Sequence, residues 1–481
     1  MMTIWEIILT QFPVKRYIVS MTIWNPDLSR RSGSFALALA DAIADDIAGG
    51  RLQPGERLPP QRNLAQQLGV SVGTVTRSYG EARRRGLVAG RIGSGTYVRD
   101  METPEAEFGI RDGATPQAID LAVNLIHCTL WPSAFDAALA ELSSGSDTAA
   151  LLEYVPAQGL LRHRRTASAW IERPGFAPEP DRIAMCHGAQ NGLAAVLSAL
   201  TRPGDIVLAE EVTYPPVKIL AEMYGLRLEG VTMDHEGLDP AALDAVARTT
   251  AARVLYTTPT LQNPTGALMS DGRRREIAAI ARRHDLKIVE DDVVARLVDP
   301  PTTPIAAYAP ERTWYVTSVS KSLAPGLRIG YVAAPDSEIE PVLTRIRALG
   351  WMASALSAEI IEFWMNNGTA DDLVRYHRRE NRVYTDMAHA QLGEFEDAGL
   401  ACPHIWFPLP SPWRTGDFVA RLAAKGIGVA PSEAFAVSRS TAPPAVRISL
   451  SAAPNRLLLQ RALSVIAETL ADDPLGETAI L

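Results

Sequence analysis

Thr317-Ser318-Val319-Ser320-Lys321-Ser322-Leu323-Ala324-Pro325-Gly326-Leu327-Arg328 follows an apolar run, Trp314–Ser318, that reads as a strand. A lysine stands between hydroxyls, and an arginine follows seven residues later. An amine in that setting can form an imine with an aldehyde, while hydroxyls and a guanidinium hold a phosphate. The stretch suits a phosphorylated aldehyde.

Further short apolar runs lie on both sides of it. Ile183–Cys186, Ile206–Ala209, Arg227–Val231, Val254–Thr258, Ile288–Asp291 and Ile329–Ala333 read as strands. Helical stretches such as Leu193–Leu200 and Arg273–His284 separate most of them. Such alternation predicts an α/β body with a mostly parallel sheet covered on both faces. Ligands of such sheets bind at the carboxyl ends of strands, so the residues there carry information. Glu290-Asp291-Asp292 ends one strand, and a carboxylate there can keep a pyridinium nitrogen protonated. Gly188-Ala189-Gln190 opens a helix whose first amides can accept a phosphate. Asn263-Pro264-Thr265-Gly266 is a turn that can present an amide to a phenolic oxygen, and Tyr214 can stack on a ring. Taken singly, each has a plainer explanation as a surface lysine, a turn or a core tyrosine. All of them in this order at strand ends is a specific signal.

On these motifs, residues 119–481 resemble the fold-type I aminotransferases that use pyridoxal 5'-phosphate (PLP). The resemblance implies a mostly parallel central sheet with a smaller C-terminal α/β subdomain. It makes Lys321 the Schiff-base lysine and Asp291 the partner of the pyridine nitrogen, these two being the catalytic candidates. Asn263 bonds the ring hydroxyl and Tyr214 stacks on the ring. Ala189, Gln190, Ser318, Ser320 and Arg328 hold the phosphate. Tyr154, in Tyr154-Val155-Pro156-Ala157-Gln158-Gly159, reaches the phosphate of a neighbouring subunit, and Arg447, in Val446-Arg447-Ile448-Ser449, binds a ligand carboxylate. One departure matters. Relatives usually place a tyrosine two or three residues beyond the aspartate, where Val293 and Val294 stand here. Loss of that hydroxyl argues against efficient transamination and leaves covalent PLP binding intact.

Ahead of this body lies a segment of another kind. Phe35, Leu39, Ile43 and Ile47 recur every four residues, so residues 34–48 read as an amphipathic helix stopped by Gly49-Gly50. A second helix is expected over Gln61–Leu68. After a tight turn at Gly69, a third runs to Arg85, capped by Ser71 or Gly73, with Val75, Tyr79 and Ala82 on its apolar side. Leu87–Ala89 and Thr96–Val98 form a hairpin around Gly93-Ser94-Gly95. This is the element order of a winged helix-turn-helix, whose second helix of the motif enters the major groove. Arg62 and Arg77 are placed for phosphate or guanine contacts. The run Arg83-Arg84-Arg85 reads better as a solvated basic face. The segment Gly50-Arg51-Leu52-Gln53-Pro54-Gly55-Glu56-Arg57-Leu58-Pro59-Pro60-Gln61-Arg62, with Leu64-Ala65, Leu68-Gly69-Val70-Ser71, Thr74-Val75, Gly86-Leu87 and Gly93-Ser94-Gly95-Thr96, resembles the GntR-type winged helix. That resemblance carries DNA contacts to Arg62, Ser71, Thr74, Thr76 and Gly93. Val72 stands where some members have arginine.

The charge distribution agrees. The net charge is −8, yet residues 31–99 hold ten arginines, no lysine and five acidic side chains, a surplus of +5. A basic module ahead of an acidic body suggests an anion-binding unit attached to something else. Residues 1–30 read as a poorly ordered extension with no function assigned, and residues 100–118 as a short acidic linker. Met2-Thr3-Ile4-Trp5 is echoed by Met21-Thr22-Ile23-Trp24, so Met21 is an alternative start. The chain has 481 residues, 47% of them hydrophobic, enough for a sizeable core. No apolar run is long enough to cross a membrane as a helix. Three widely spaced cysteines argue against a disulfide framework or a cysteine-rich metal site and fit a reducing cytoplasm.

A GntR-type winged helix joined to an aminotransferase-like body resembles the MocR-type transcription regulators. The resemblance implies a homodimer, an operator in double-stranded DNA, and PLP or an amino compound as effector. The alternative is an active aminotransferase with a vestigial DNA-binding segment.

Overall fold

The computed structural model describes Trp24, Pro26 and residues 35–48, 51–53, 56–84, 87–91, 95–98, 118–145, 149–395, 399–400, 402–438 and 442–472. The chain divides into two compact units, Met1–Ala106 and Glu107–Leu481.

In the first unit, helices Phe35–Ala48, Gln61–Leu68 and Val72–Arg84 precede an antiparallel hairpin of β1 (Val88–Arg91) and β2 (Gly95–Val98). The expected apolar positions converge: Leu39, Ile43, Leu64, Val75, Tyr79 and Ala82 are buried in one cluster with Val88 and Val98. Gly69 has φ +68°, the left-handed conformation that ends a helix without a Cβ penalty. Ser71, rather than Gly73, caps the third helix, its Oγ accepting from the Thr74 amide at 3.1 Å. The Tyr79 hydroxyl donates to the Pro59 carbonyl at 2.8 Å and pins this helix to the segment before the second. The hairpin tip, Gly93 included, lies outside the described residues, as do Gly49, Gly50, Arg85 and Gly86.

The reading of residues 1–30 as an extension needs correction at two residues; the others lie outside the described residues. Trp24 and Pro26 are buried, and Trp24 belongs to the core of the module. The Trp24 indole donates to Asp46 Oδ2 at 2.6 Å, and Arg51 Nε donates to the other oxygen of that carboxylate at 3.0 Å. A tryptophan buries its large ring readily when its N–H finds an acceptor. Asp46, itself buried, is that acceptor.

The second unit is built on a seven-stranded sheet. The chain adds β3 (Ile119–Asp120), β4 (Ile183–Cys186), β5 (Ile206–Glu210), β6 (Arg227–Val231), the short hairpin β7 (Met233–Asp234) and β8 (Gly237–Leu238), β9 (Val254–Thr257), β10 (Lys287–Asp291), β11 (Thr313–Ser318) and β12 (Gly330–Ala333). The sheet order is β4-β12-β11-β10-β9-β5-β6, and β12 alone pairs antiparallel, with β11 on one side and β4 on the other. Alternate residues feed opposite faces, as the pleat requires. Val207, Tyr256 and Val289 pack into one cluster, and Leu208, Leu255 and Ile288 into another. Helices Ala189–Leu200 and Ile339–Gly350 cover the first face; Pro240–Thr249 and Asp271–Arg283 cover the second. Burial on both faces is why these strands read as continuous apolar runs.

A smaller sheet follows, formed by β13 (Ile405–Pro408), β15 (Ala430–Pro431) and β16 (Ala445–Ile448), with β16 in the middle. The two-residue strand β14 (Ile427–Gly428) pairs with β3, so the start of the body belongs to its C-terminal subdomain. Ile119 and Leu121 donate amides to the Gly426 and Gly428 carbonyls at 2.9 and 2.8 Å. The 24-residue helix Thr369–Leu392 joins the two parts: Leu373 and Val374 lie in a core cluster of the large part, Tyr384 and Ala388 in that of the small. No helix among the described residues is long and apolar enough to cross a membrane.

Candidate functional site

Three strand ends of the large sheet bring the predicted residues together. Asp291 is the last residue of β10, and Lys321 follows β11 in a turn that leads to Arg328 and β12. Asp291 is buried; its Oδ2 accepts from the Tyr256 hydroxyl at 2.9 Å, while its Oδ1 is buried without a partner. Burial, with the charges of Asp292 and Glu210 adding to it, raises its carboxyl to about 7, although the Tyr256 hydrogen bond opposes the rise. A buried carboxylate oxygen without a donor calls for one.

The neighbouring acids have other tasks. Glu290 faces the opposite side of the sheet and caps helix Ile305–Tyr308, accepting from the Ile305 and Ala306 amides at 2.9 and 2.8 Å. Asp292 accepts from the Tyr315 hydroxyl at 3.0 Å. Of the three, it is Asp291 whose charge acts on Tyr214, together with those of Arg447 and Arg328.

The Lys321 ammonium donates to the Asn124 carbonyl. Burial first, then the charges of Arg447 and Arg328, push its pKa down to about 8. Tyr214 lies in the same field: burial and the charge of Asp291 push its phenol up to about 12, and Arg447 and Arg328 oppose the shift.

Gly188 has φ +78° and leads into helix Ala189–Leu200. The first amides of a helix have no partner within it, so they form an anion site with the positive end of the helix dipole. Arg328, itself in the left-handed region at φ 52°, donates to the His187 carbonyl at 3.2 Å. A Cβ on Gly188 would stand 2.7 Å from the Arg328 guanidinium, so only glycine admits that approach. Ser318 and Ser320 are buried beside Lys321 in sequence, and the Ser320 amide donates to Ser318 Oγ at 3.3 Å; Gln190 is exposed. Gly330 closes the cradle from beneath: a Cβ there would lie 2.5 Å from the Gly188 carbonyl carbon and 2.8 Å from the Ala189 nitrogen. These are backbone atoms and cannot swing aside. We expect Gly330→Ala to destabilise the fold by about 3 kcal/mol, the upper end for overpacking, and to lower the thermal midpoint while loosening the cradle. An unchanged midpoint would show that the helix start can shift freely.

Arg447 is buried in β16. Its Nη1 donates to Asn263 Oδ1 at 2.8 Å, its Nη2 to the Ala122 carbonyl, and its Nε is buried without a partner. Its guanidinium carbon lies 4.8 Å from the Phe435 ring centroid. Burial pushes its pKa down to about 10. No carboxylate of the described residues pairs with it, so its charge is available to an anionic ligand.

The structure does not bring Tyr154 to this site within the chain. Its side chain is 82% exposed and packs against Trp351, ring centroids 5.5 Å apart. Val293 and Val294 pack with Leu261, Leu297, Val298 and Cys402, so an apolar cluster occupies these two positions. Sequence reasoning missed Tyr256, Asn124 and His404. His404 is buried, its Nδ1 3.2 Å from Asn124 Nδ2 and its Nε2 3.1 Å from the Gln262 carbonyl. Tyr256 reads as one more apolar strand residue, and nothing in its neighbours marks its hydroxyl.

In the helix-turn-helix unit, Arg62 and Arg77 are exposed on successive helices. The hydroxyls of Ser71 and Thr74 are 2.8 Å apart, and the Thr76 hydroxyl donates to Gln61 Oε1 at 2.7 Å. These hydroxyls already have partners within the module.

The family model for aminotransferase class I and II matches residues 116–466, and that for bacterial regulatory proteins of the gntR family matches residues 35–98. The chain therefore belongs to the aminotransferase class I and II family. It has the make-up of a transcription regulator with an aminotransferase-like domain. It is similar to the HTH-type transcriptional regulator YdeF of Bacillus subtilis, 29% identical over 93% of this chain and 97% of that protein. It is also similar to the HTH-type pyridoxine biosynthesis transcriptional regulator PdxR of Corynebacterium glutamicum, 28% identical over 76% and 81% of the two chains. Among solved structures, LysN, the alpha-aminoadipate aminotransferase of Thermus thermophilus complexed with N-(5'-phosphopyridoxyl)-L-leucine, has a TM-score of 0.67 at 22% identity, covering 76% of this chain and 95% of that one. The last likeness shows the fold.

Proposed function

We propose that this chain is a cytoplasmic, MocR-type transcription regulator. Residues 31–99 bind operator DNA, residues 100–118 link, and residues 119–481 bind PLP and sense PLP itself or an amino compound. One observation carries the reading: a buried amine, an orphaned buried carboxylate oxygen and a buried guanidinium with no carboxylate partner among the described residues belong to a chain that also bears a helix-turn-helix.

The residues present fit PLP. Lys321 offers the amine for covalent attachment, and its lowered pKa leaves a sizeable neutral fraction near neutral pH. Asp291 Oδ1 would take the proton-bearing ring nitrogen as its missing partner. Ala189 and Gln190 at the helix start would hold the phosphate with Ser318, Ser320 and Arg328. Asn263 would bond the ring oxygen, and Tyr214 would cover the ring. When bound, PLP supplies an electron sink and a carbonyl carbon for amines. Arg447 would orient the carboxylate of an amino-acid ligand.

The apolar packing of Val293 and Val294 supports sensing over turnover, because the site lacks a hydroxyl that relatives hold against the ring oxygen. A homodimer completes the picture. Tyr154, exposed here, would reach the phosphate in the partner's site, and twofold dimers are the commonest assembly.

The test is operator binding by apo protein, PLP-loaded protein and PLP-loaded protein with amino compounds. A ligand acts on the DNA-binding unit only by favouring one arrangement of the chain over another. Coupling of 1–3 kcal/mol predicts a shift of about 5–150-fold in affinity, or a changed DNA bend at similar affinity. Arg62→Ala serves as the DNA-side control. It should weaken binding to all sequences and lower the slope of log affinity against log salt by about 0.9. Identical affinity, bend and transcriptional output with and without PLP would leave an enzyme joined to a DNA-binding unit as the better account.

A further inference from the structure

The network behind Lys321 holds an acceptor without a partner among the described residues. The His404 Nε2 lies 3.1 Å from the Gln262 carbonyl. A carbonyl only accepts, so Nε2 carries the hydrogen. Burial, with Arg447 and Lys321 close by, pushes the imidazole pKa down to about 3, so the ring is neutral. Nδ1 is therefore an acceptor. The Asn124 side-chain atom 3.2 Å from it must be the amide nitrogen. This fixes the amide: Nδ2 faces the histidine, and Oδ1 faces away. Asn124 Oδ1 is buried and has no hydrogen-bond partner.

The backbone places Asn124 beside the candidate ligand site. The Asn124 carbonyl accepts from the Lys321 ammonium, and the Ala122 carbonyl, two residues earlier, accepts from Arg447. Gln262, which holds His404, precedes Asn263, the other partner of Arg447. Asn124 thus stands between the candidate amine anchor and the candidate carboxylate anchor. An acceptor buried there without a donor favours ligands that bring one.

We infer that Asn124 Oδ1 is a specificity-determining acceptor, held in place by His404, that selects amino acids bearing a second hydrogen-bond donor over their apolar isosteres. The inference rests on the reading of this site as one for PLP and an amino compound. Asn124 touches the ligand; His404 acts through Asn124 as a positioning residue.

The experiment uses the full chain loaded with PLP and follows the cofactor absorbance on adding matched pairs. L-threonine is set against L-valine, L-homoserine against L-norvaline, and L-ornithine against L-norleucine. Each pair exchanges a donor for a methyl group. At least one donor-bearing member should bind about 10-fold more tightly than its isostere. Asn124→Ala keeps the carbonyl that holds Lys321 and should erase that ratio, the donor-bearing member losing about 10-fold more affinity than the apolar one. His404→Phe should reduce the ratio in the same way, whereas a merely structural role would weaken both members alike.

Equal binding within every pair by the unmodified protein, with a borohydride-reducible PLP adduct present, overturns the acceptor role alone. So does equal weakening of both members in Asn124→Ala. Absence of the adduct overturns the PLP reading and this inference together.

Discussion

Lys321→Ala loses the borohydride-reducible PLP adduct completely, because no other lysine of the described residues follows β11 at this strand end. The phosphate cradle of Gly188, Ala189 and Arg328 is untouched by the substitution, so the cofactor should still bind reversibly. The unmodified protein offers a second, graded readout. The Lys321 pKa is near 8, depressed by burial and by Arg447 and Arg328. Only the neutral amine attacks a carbonyl, so attachment should accelerate as pH rises and level off above about 8. Below that value the rate should fall about tenfold for each pH unit, in proportion to the neutral fraction. Rapid mixing of apo protein with PLP across a pH series measures this directly. An adduct that survives Lys321→Ala would assign the attachment to a different lysine.

Arg447→Ala weakens binding of amino acids by roughly 10–150-fold, the worth of a hydrogen bond between a charged donor and a carboxylate. The loss is confined to ligands that carry a carboxylate. An amine with the same skeleton but no carboxyl group should bind both proteins alike, and PLP attachment should be unaffected. Arg447→Lys is not a mild change here. The native guanidinium serves Asn263 Oδ1 and the Ala122 carbonyl at once and still has an unused Nε, a fork that one ammonium cannot reproduce. Titration of the PLP-loaded protein with matched amino acid and amine checks both statements. If Arg447→Ala still regulates normally with PLP as the only ligand, PLP is the effector and the amino-acid reading fails.

Much of this was legible in the residues. The strands of the large sheet read as apolar runs because both of their faces are covered, and Asp291 and Lys321 fall at ends that such runs define. The helices of the first unit announced themselves through Leu39, Ile43, Val75 and Tyr79, which are buried as their spacing requires. The helix that Gly188-Ala189-Gln190 was expected to open does begin at Ala189. What stayed hidden was long-range. Asn124 and His404 are 280 positions apart and meet only because β3 returns to the C-terminal subdomain. No local pattern encodes that meeting. Tyr256 was hidden for another reason: a tyrosine in a buried strand looks like packing until the acid on the adjacent strand is seen. Glu290, Asp291 and Asp292 formed one acidic run in the sequence, and only the pleat divides their tasks.

The tie between Trp24 and Asp46 sets a practical rule for dissecting the chain. A fragment of the DNA-binding unit that starts at the first helix would discard the indole. Asp46 would remain in the interior with Arg51 as its chief counterpart, and a hollow the size of a tryptophan would open in the core cluster of the module. Domains this small have little reserve against such a loss. Footprinting, calorimetry or operator selection on the isolated unit should therefore use fragments that begin upstream of Trp24, or the behaviour observed will be that of a damaged fold.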